Sequence, residues 1–202
     1  MAFYTLCLKA VRFGFMLAAP IGPVGLLCIQ NVVTFGFWEG LSTGLGASIG
    51  ISLYGLIIAL GLTTITTLTL TYATTIKIIG AIILIALGIK DLLSTPDVTL
   101  KTADSTSTIK TIGTTLLLTL TNPMTIVTFI SLLPTLGYTA GSSPIDSLGL
   151  LASIFIGSMI WWVILSFTIN YAKRYAPDAI LSKISTASGV ALIAFAFYLI
   201  LC

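Results

Sequence analysis

Pro20-Ile21-Gly22-Pro23 stands in the middle of an uncharged apolar run from Phe13 to Trp38. A run of that length is enough to cross a bilayer, which takes roughly 20 apolar residues. Pro20 and Pro23 have no N–H, so an unbroken helix would leave the carbonyls of Met16 and Ala19 without intrahelical partners. Each such break in a helix interior costs about 3 kcal/mol. Lipid offers no water to the freed groups, so a broken helix persists only where protein or an aqueous cavity surrounds it. Thr121-Asn122-Pro123 makes a similar interruption in the second half, where Pro123 frees the carbonyl of Thr119. Breaks at corresponding positions of two halves point to the binding site of a transporter.

Composition sets the class. Of 202 residues, 57% are hydrophobic and 7% charged, against about 25% charged in a soluble domain. The chain reads as an all-α, polytopic membrane protein in contact with the lipid bilayer. A net charge of +3, small and dispersed, argues against nucleic acid as a partner. There is no histidine, no H-E-x-x-H, no Walker loop and no Ser–His arrangement, so nothing supports an enzyme. Cys7, Cys28 and Cys202 form no C-x-x-C pair and suggest neither a disulfide framework nor a metal site. No cofactor is expected. Lys9 and Arg12 precede the first apolar stretch as in a signal peptide, but no A-x-A cleavage site follows, so the stretch reads as a first membrane helix.

Hydropathy predicts six spans, at about 13–36, 41–62, 76–93, 112–133, 148–170 and 184–202. Thr63–Thr75 is threonine-rich and is expected to be irregular. Ser94–Thr111 carries Asp97, Lys101, Asp104 and Lys110, and reads as a solvated loop. It divides a single transmembrane domain, 1–202, into repeat one (about 1–93) and repeat two (about 112–202). Three spans per half would orient the halves oppositely, as inverted repeats with a broken helix in each. Lys90, Lys101, Lys110, Lys173, Arg174 and Lys183 would lie on one side, and Lys9, Arg12 and Lys77 on the other. The richer side should be cytoplasmic, with both termini outside.

Gly36, Gly40, Gly44, Gly46 and Gly50 suit close helix packing, which would let the second helix lie against the broken first one. The hydroxyl of Tyr54, one turn later, needs a partner in a cavity or on a neighbouring helix. Asn122 beside Pro123 makes a polar spot at about mid-depth, and Trp161-Trp162 read as packing and anchoring residues. No Asp, Glu, Lys, Arg or His lies deep in a span apart from Lys9 and Arg12; Glu39 and Asp91 fall at span ends, close to water.

These motifs together resemble the LysE/RhtB-type amino-acid exporters along essentially the whole chain. The markers are Pro20-Ile21-Gly22-Pro23-Val24-Gly25-Leu26-Leu27-Cys28-Ile29, the glycines from Gly36 to Gly50, Leu53-Tyr54-Gly55, and Gly80 with Gly88. Leu120-Thr121-Asn122-Pro123-Met124-Thr125-Ile126, Gly157-Ser158 with Trp161-Trp162, and Ser188-Gly189 complete the set. Related sequences often carry a basic pair at Gln30-Asn31, an acid at Ile51 and a lysine at Met124.

The resemblance implies secondary efflux of amino acids or similar small metabolites through the cytoplasmic membrane, the inner membrane where a cell has two. Pro20, Gly22, Pro23, Tyr54, Asn122 and Pro123 are the candidate substrate-binding residues. Half-helix N-termini after Pro23 and Pro123 would take the substrate carboxylate. Freed carbonyls of Met16, Ala19 and Thr119, with the Asn122 amide, would take its ammonium. A channel and a purely structural membrane protein are alternatives, and a thiol-redox membrane carrier is disfavoured because Cys28 has no counterpart near Pro123. Assembly as a homo-oligomer is left open.

Overall fold

A computed structural model describes residues 3–19, 22–59, 73–93, 105–122, 125, 126, 128, 129, 136, 144–175, 186, 187 and 190–197. These residues are helical almost throughout, with no strand among them. The helices are α1 (Phe3–Ala18), α2 (Pro23–Phe35), α3 (Phe37–Ala59), α4 (Ala73–Leu93), α5 (Ser105–Thr121) and α6 (Pro144–Ala172), and residues 190–197 are also helical.

Phe37–Ile57 and Ile145–Ala172 are each long and apolar enough to cross a membrane. The pair Phe3–Ala18 and Pro23–Phe35 passes the same test jointly, as one span bent by 77°. The described residues thus hold two to three candidate spans, where hydropathy suggested six.

Two boundaries differ from the sequence reading. The first helix begins at Phe3 rather than near Phe13, so Lys9 and Arg12 are helical. Leu6 and Ala10 are buried on the same face as Phe13 and Leu17, and that packed stripe carries the helix through the basic residues. Ser105–Thr111 is the start of α5 rather than loop. Its threonines earn this by tertiary contact: Thr108 and Thr111 donate to the carboxylate of Glu39 on α3. Of the irregular stretch expected at Thr63–Thr75, the last residues belong to α4 and the remainder lies outside the described residues.

Close backbone approach sets the packing. Phe3 lies by Gly149, Val11 by Gly157 and Phe15 by Trp161, so α1 runs parallel to α6. A Cβ on Gly157 would collide with the carbonyl of Val11, and one on Gly14 with the carbonyl of Ile154. Gly40 faces Ser166, Gly44 faces Trp162, and Ser48 donates to Ser158 at 2.9 Å, so α3 runs antiparallel to α6. Gly46 meets the backbone of Ile112 and Gly50 meets Thr119, so α3 runs parallel to α5. The glycines of α3 therefore mainly admit α5 and α6; only Gly40 also meets α2, at Val32.

Gly36 forms the elbow between α2 and α3 at φ 98°, a conformation that favours glycine. Lys173, just after α6, donates from Nζ to the carbonyl of Val32 at 2.8 Å and caps the end of α2. Burial, and then the charge of Arg174, lowers the affinity of this lysine for its proton.

Candidate functional site

The first break is a pair of helix ends. The N–H of Ala19 closes α1 on the carbonyl of Phe15 at 3.0 Å. Pro23 is the first residue of α2, Gly22 is its N-cap in extended backbone (φ −110°), and no side chain caps the turn. The apolar run is thus broken between Ala18 and Pro23, and Pro23 opens the second half-helix. At a first helical position its missing N–H would have been an orphan anyway, so it costs little. The N–H groups of Val24 and Gly25 in that first turn have no intrahelical acceptors.

The second break follows α5. The carbonyl of Asn122 accepts from the N–H of Thr125 at 3.1 Å and of Ile126 at 3.3 Å, so Asn122 starts the next helical stretch. The carbonyls at the end of α5 are already engaged. Leu117 accepts from the Thr121 hydroxyl at 2.8 Å, Thr119 from the N–H of Asn122 at 3.4 Å, and Leu120 from the Tyr54 hydroxyl at 2.7 Å. The Thr119 carbonyl already carries one of the two hydrogen bonds it can accept. Phe129 then packs edge-on to Phe13 with ring centroids 5.1 Å apart, and lies 5.7 Å from Tyr54, which seats the second break beside the first.

Both breaks border one cavity of about 40 Å³. Gly22, Val24 and Gly25 line it from the first break, Asn122 and Thr125 from the second, with Ala47, Ile51, Thr119 and Trp162 among the walls. No charged side chain is among the lining residues. A water needs about 10–15 Å³ by this kind of measure, so there is room for about three.

Of the candidate site residues, Gly22 and Asn122 meet across this cavity and Pro23 starts the helix that points into it. Tyr54 is not part of the lining; its hydroxyl braces the end of α5 from outside. Pro20 and Pro123 lie outside the described residues. Sequence reasoning missed Trp162 and the side chain of Thr119. Trp162 is buried and its Nε1–H donates to Ser158 at 3.2 Å, one turn back on α6. The Ser158-x-x-x-Trp162 spacing could have shown that the indole is held in place rather than anchored at an interface. The Thr119 hydroxyl donates to the Thr115 carbonyl at 2.8 Å, which leaves its lone pairs to accept.

A family description, LysE type translocator, matches residues 15–202. The chain belongs to this family. It is similar, at 29% identity over 95% of this chain and 93% of the relative, to the "Putative amino acid efflux protein YcgF" of Bacillus subtilis (strain 168). It is also similar, at 26% identity over 84% of this chain and 86% of the relative, to the "Uncharacterized membrane protein YrhP" of the same organism. No solved structure matches. As a LysE type translocator the protein is a multi-pass membrane transporter, and its two broken helix ends are the features such a role needs.

Proposed function

We propose that this protein exports small, net-neutral amino acids or comparable metabolites across the cytoplasmic membrane. The observation that supports this reading is the cavity between the two helix breaks, whose described lining, Gly22, Ile51, Asn122 and Trp162 among it, carries no charge. The N–H groups of Val24 and Gly25 would take the substrate carboxylate. The hydroxyl of Thr119 and the amide of Asn122 would take its ammonium, in place of the carbonyls that α5 already uses. A basic amino acid would add a cation that needs an anionic partner in a dehydrated site. Ile51, 2% exposed, stands where relatives often carry an acid and offers none. The amino-acid efflux named for one relative supports the same substrate class.

Antiparallel partners support an inverted repeat: α3 runs opposite to α6, and α1, parallel to α6, runs opposite to α5, parallel to α3. The six-span reading has both termini outside and the start of α5 inside. An impermeant maleimide should therefore spare a cysteine at Ser105 in intact cells, in a background without native cysteines. Ready labelling would reverse the orientation.

The substrate test loads cells with dipeptides and follows efflux of the released amino acids with and without the protein. Neutral amino acids should leave faster; faster export of lysine or arginine than of any neutral amino acid would refute the assignment. Counterflow in proteoliposomes separates a carrier, which shows trans-stimulation, from a channel, which does not.

A further inference from the structure

We infer that Glu39 is the residue through which a monovalent coupling cation drives transport, linked to the cavity by the threonines of α5. This rests on the transport reading above and names the part of the machinery that would use an ion gradient. Sequence position put Glu39 at a span end, near water, yet it is 1% exposed, wedged between α3 and α5. Its Oε1 accepts from the hydroxyl of Thr111, and its Oε2 from that of Thr108 at 3.2 Å.

Nothing described neutralises this carboxylate. The elements packed on α3 offer Cys28 on α2, Lys110 on α5, and Asp146, Lys173 and Arg174 on or just after α6. Lys110 and Arg174 are exposed, Lys173 donates to the Val32 carbonyl instead, and Asp146 is at the opposite end of α6. Among the described residues no lysine or arginine forms an ion pair with Glu39. The N-terminus of α3 supplies about half a positive charge, and no described lysine or arginine supplies the rest. A buried carboxylate with no described cation beside it is suited to a mobile one.

A row of threonines leads from Glu39 toward the cavity. Thr111, Thr115 and Thr119 recur every four residues on the face of α5 that meets α3, with Thr115 and Thr119 fully buried. Thr115 donates to the carbonyl of Thr111 and Thr119 to that of Thr115, both at 2.8 Å. With their protons committed to backbone, these hydroxyls present lone pairs, as a cation path requires. The ladder ends at Thr119 in the cavity wall, about 12 Å along the helix axis from the level of Glu39. Binding a proton converts the carboxylate to an acid whose O–H donates to a threonine turned round to accept; binding sodium neutralises it with the hydroxyl oxygens as ligands. Either way one positive charge enters and the carboxylate is neutralised.

The test uses the full chain in proteoliposomes with a neutral amino acid. Wild-type counterflow checks the transport reading by itself. Glu39→Gln should keep counterflow and lose uptake driven by an imposed proton or sodium gradient, and the gradient that drives the wild type identifies the cation. Glu39→Asp should restore part of the driven uptake. Gradient-driven uptake unchanged in Glu39→Gln would overturn the inference, as would loss of counterflow and driven uptake together in correctly inserted protein. Should Glu39→Gln fail to insert, Thr111→Val decides. Losing that hydroxyl should lower gradient-driven uptake about tenfold while counterflow is kept. An unchanged ion response would sink the assignment.

Discussion

Two parallel helix seams, α1 on α6 and α3 on α5, solve the same packing problem with different chemistry. Each has a glycine pressed on a facing carbonyl, Gly157 on Val11 and Gly46 on Ile112. The first seam is locked from both sides, since Gly14 also meets the backbone of Ile154, and its remaining contacts are apolar and aromatic. The second has one backbone lock, with Gly50 facing side chains, those of Thr119 and Leu116, and it encloses Glu39 and the buried threonines. A chain that must rearrange around a substrate needs one interface that stays and one that can re-pair its polar groups. Backbone-to-backbone contact makes the former; hydroxyls that can turn make the latter.

The largest effect should come from the locked seam. Gly157→Ala should cost about 3 kcal/mol or more, since overpacking costs about 1–3 kcal/mol even where side chains can yield. Gly50→Ala, facing a side chain at 2.9 Å, should fall within that range, and Gly113→Ala, with open space around its Cβ, should be near neutral. Monodisperse yield and thermal midpoint in detergent give the order, and equal losses at Gly157 and Gly50 would erase the distinction between the seams.

Next comes the cavity itself. A Cβ at Gly22 meets no atom within 4 Å, and the backbone there is extended. Gly22→Leu should therefore insert and fold normally while filling the cavity, so transport per inserted protein should be lost. Retained transport would move the substrate elsewhere.

Ile51→Asp tests why the cavity is neutral. Its efflux ratio of lysine to leucine should rise about tenfold, equivalent to about 1.4 kcal/mol, with some loss of stability from burying a carboxylate. An unchanged ratio would remove Ile51 from the selectivity argument.

The smallest effect should be that of Tyr54→Phe, which leaves the Leu120 carbonyl without its 2.7 Å partner. About 1 kcal/mol of stability should go, with substrate preference intact. A changed preference would bring Tyr54 into the site after all.

What could be read in the sequence follows from how local the chemistry is. The breaks at Pro23 and Asn122 were visible because a missing N–H and an amide in an apolar run are properties of the residues themselves. Where α1 stops, at Ala18, five residues before Pro23, spacing alone could not fix. Glu39 and Thr111 lie 72 positions apart; each looked like a polar residue at a span end, and only the parallel docking of α3 on α5 buries them together. Trp161-Trp162 read as packing and anchoring residues, and Trp162 is packed; its bond to Ser158 and the face of α6 it occupies were decided by tertiary contact. The first turns of α5 looked like loop because hydropathy counts Lys110 against a helix and has no measure of threonines that find a carboxylate.

The cavity of about 40 Å³ has a physiological consequence. As its described residues line it, the cavity has room for about three waters, less than an amino acid or a hydrated ion needs. An idle copy in the membrane should therefore be electrically silent, and a cell could keep many copies without dissipating the gradient that other processes share. The work of widening the space must come from the arriving solute, so turnover should follow how well a solute can prise the walls apart, and molecules too weakly bound to do so would be turned away before they could leak.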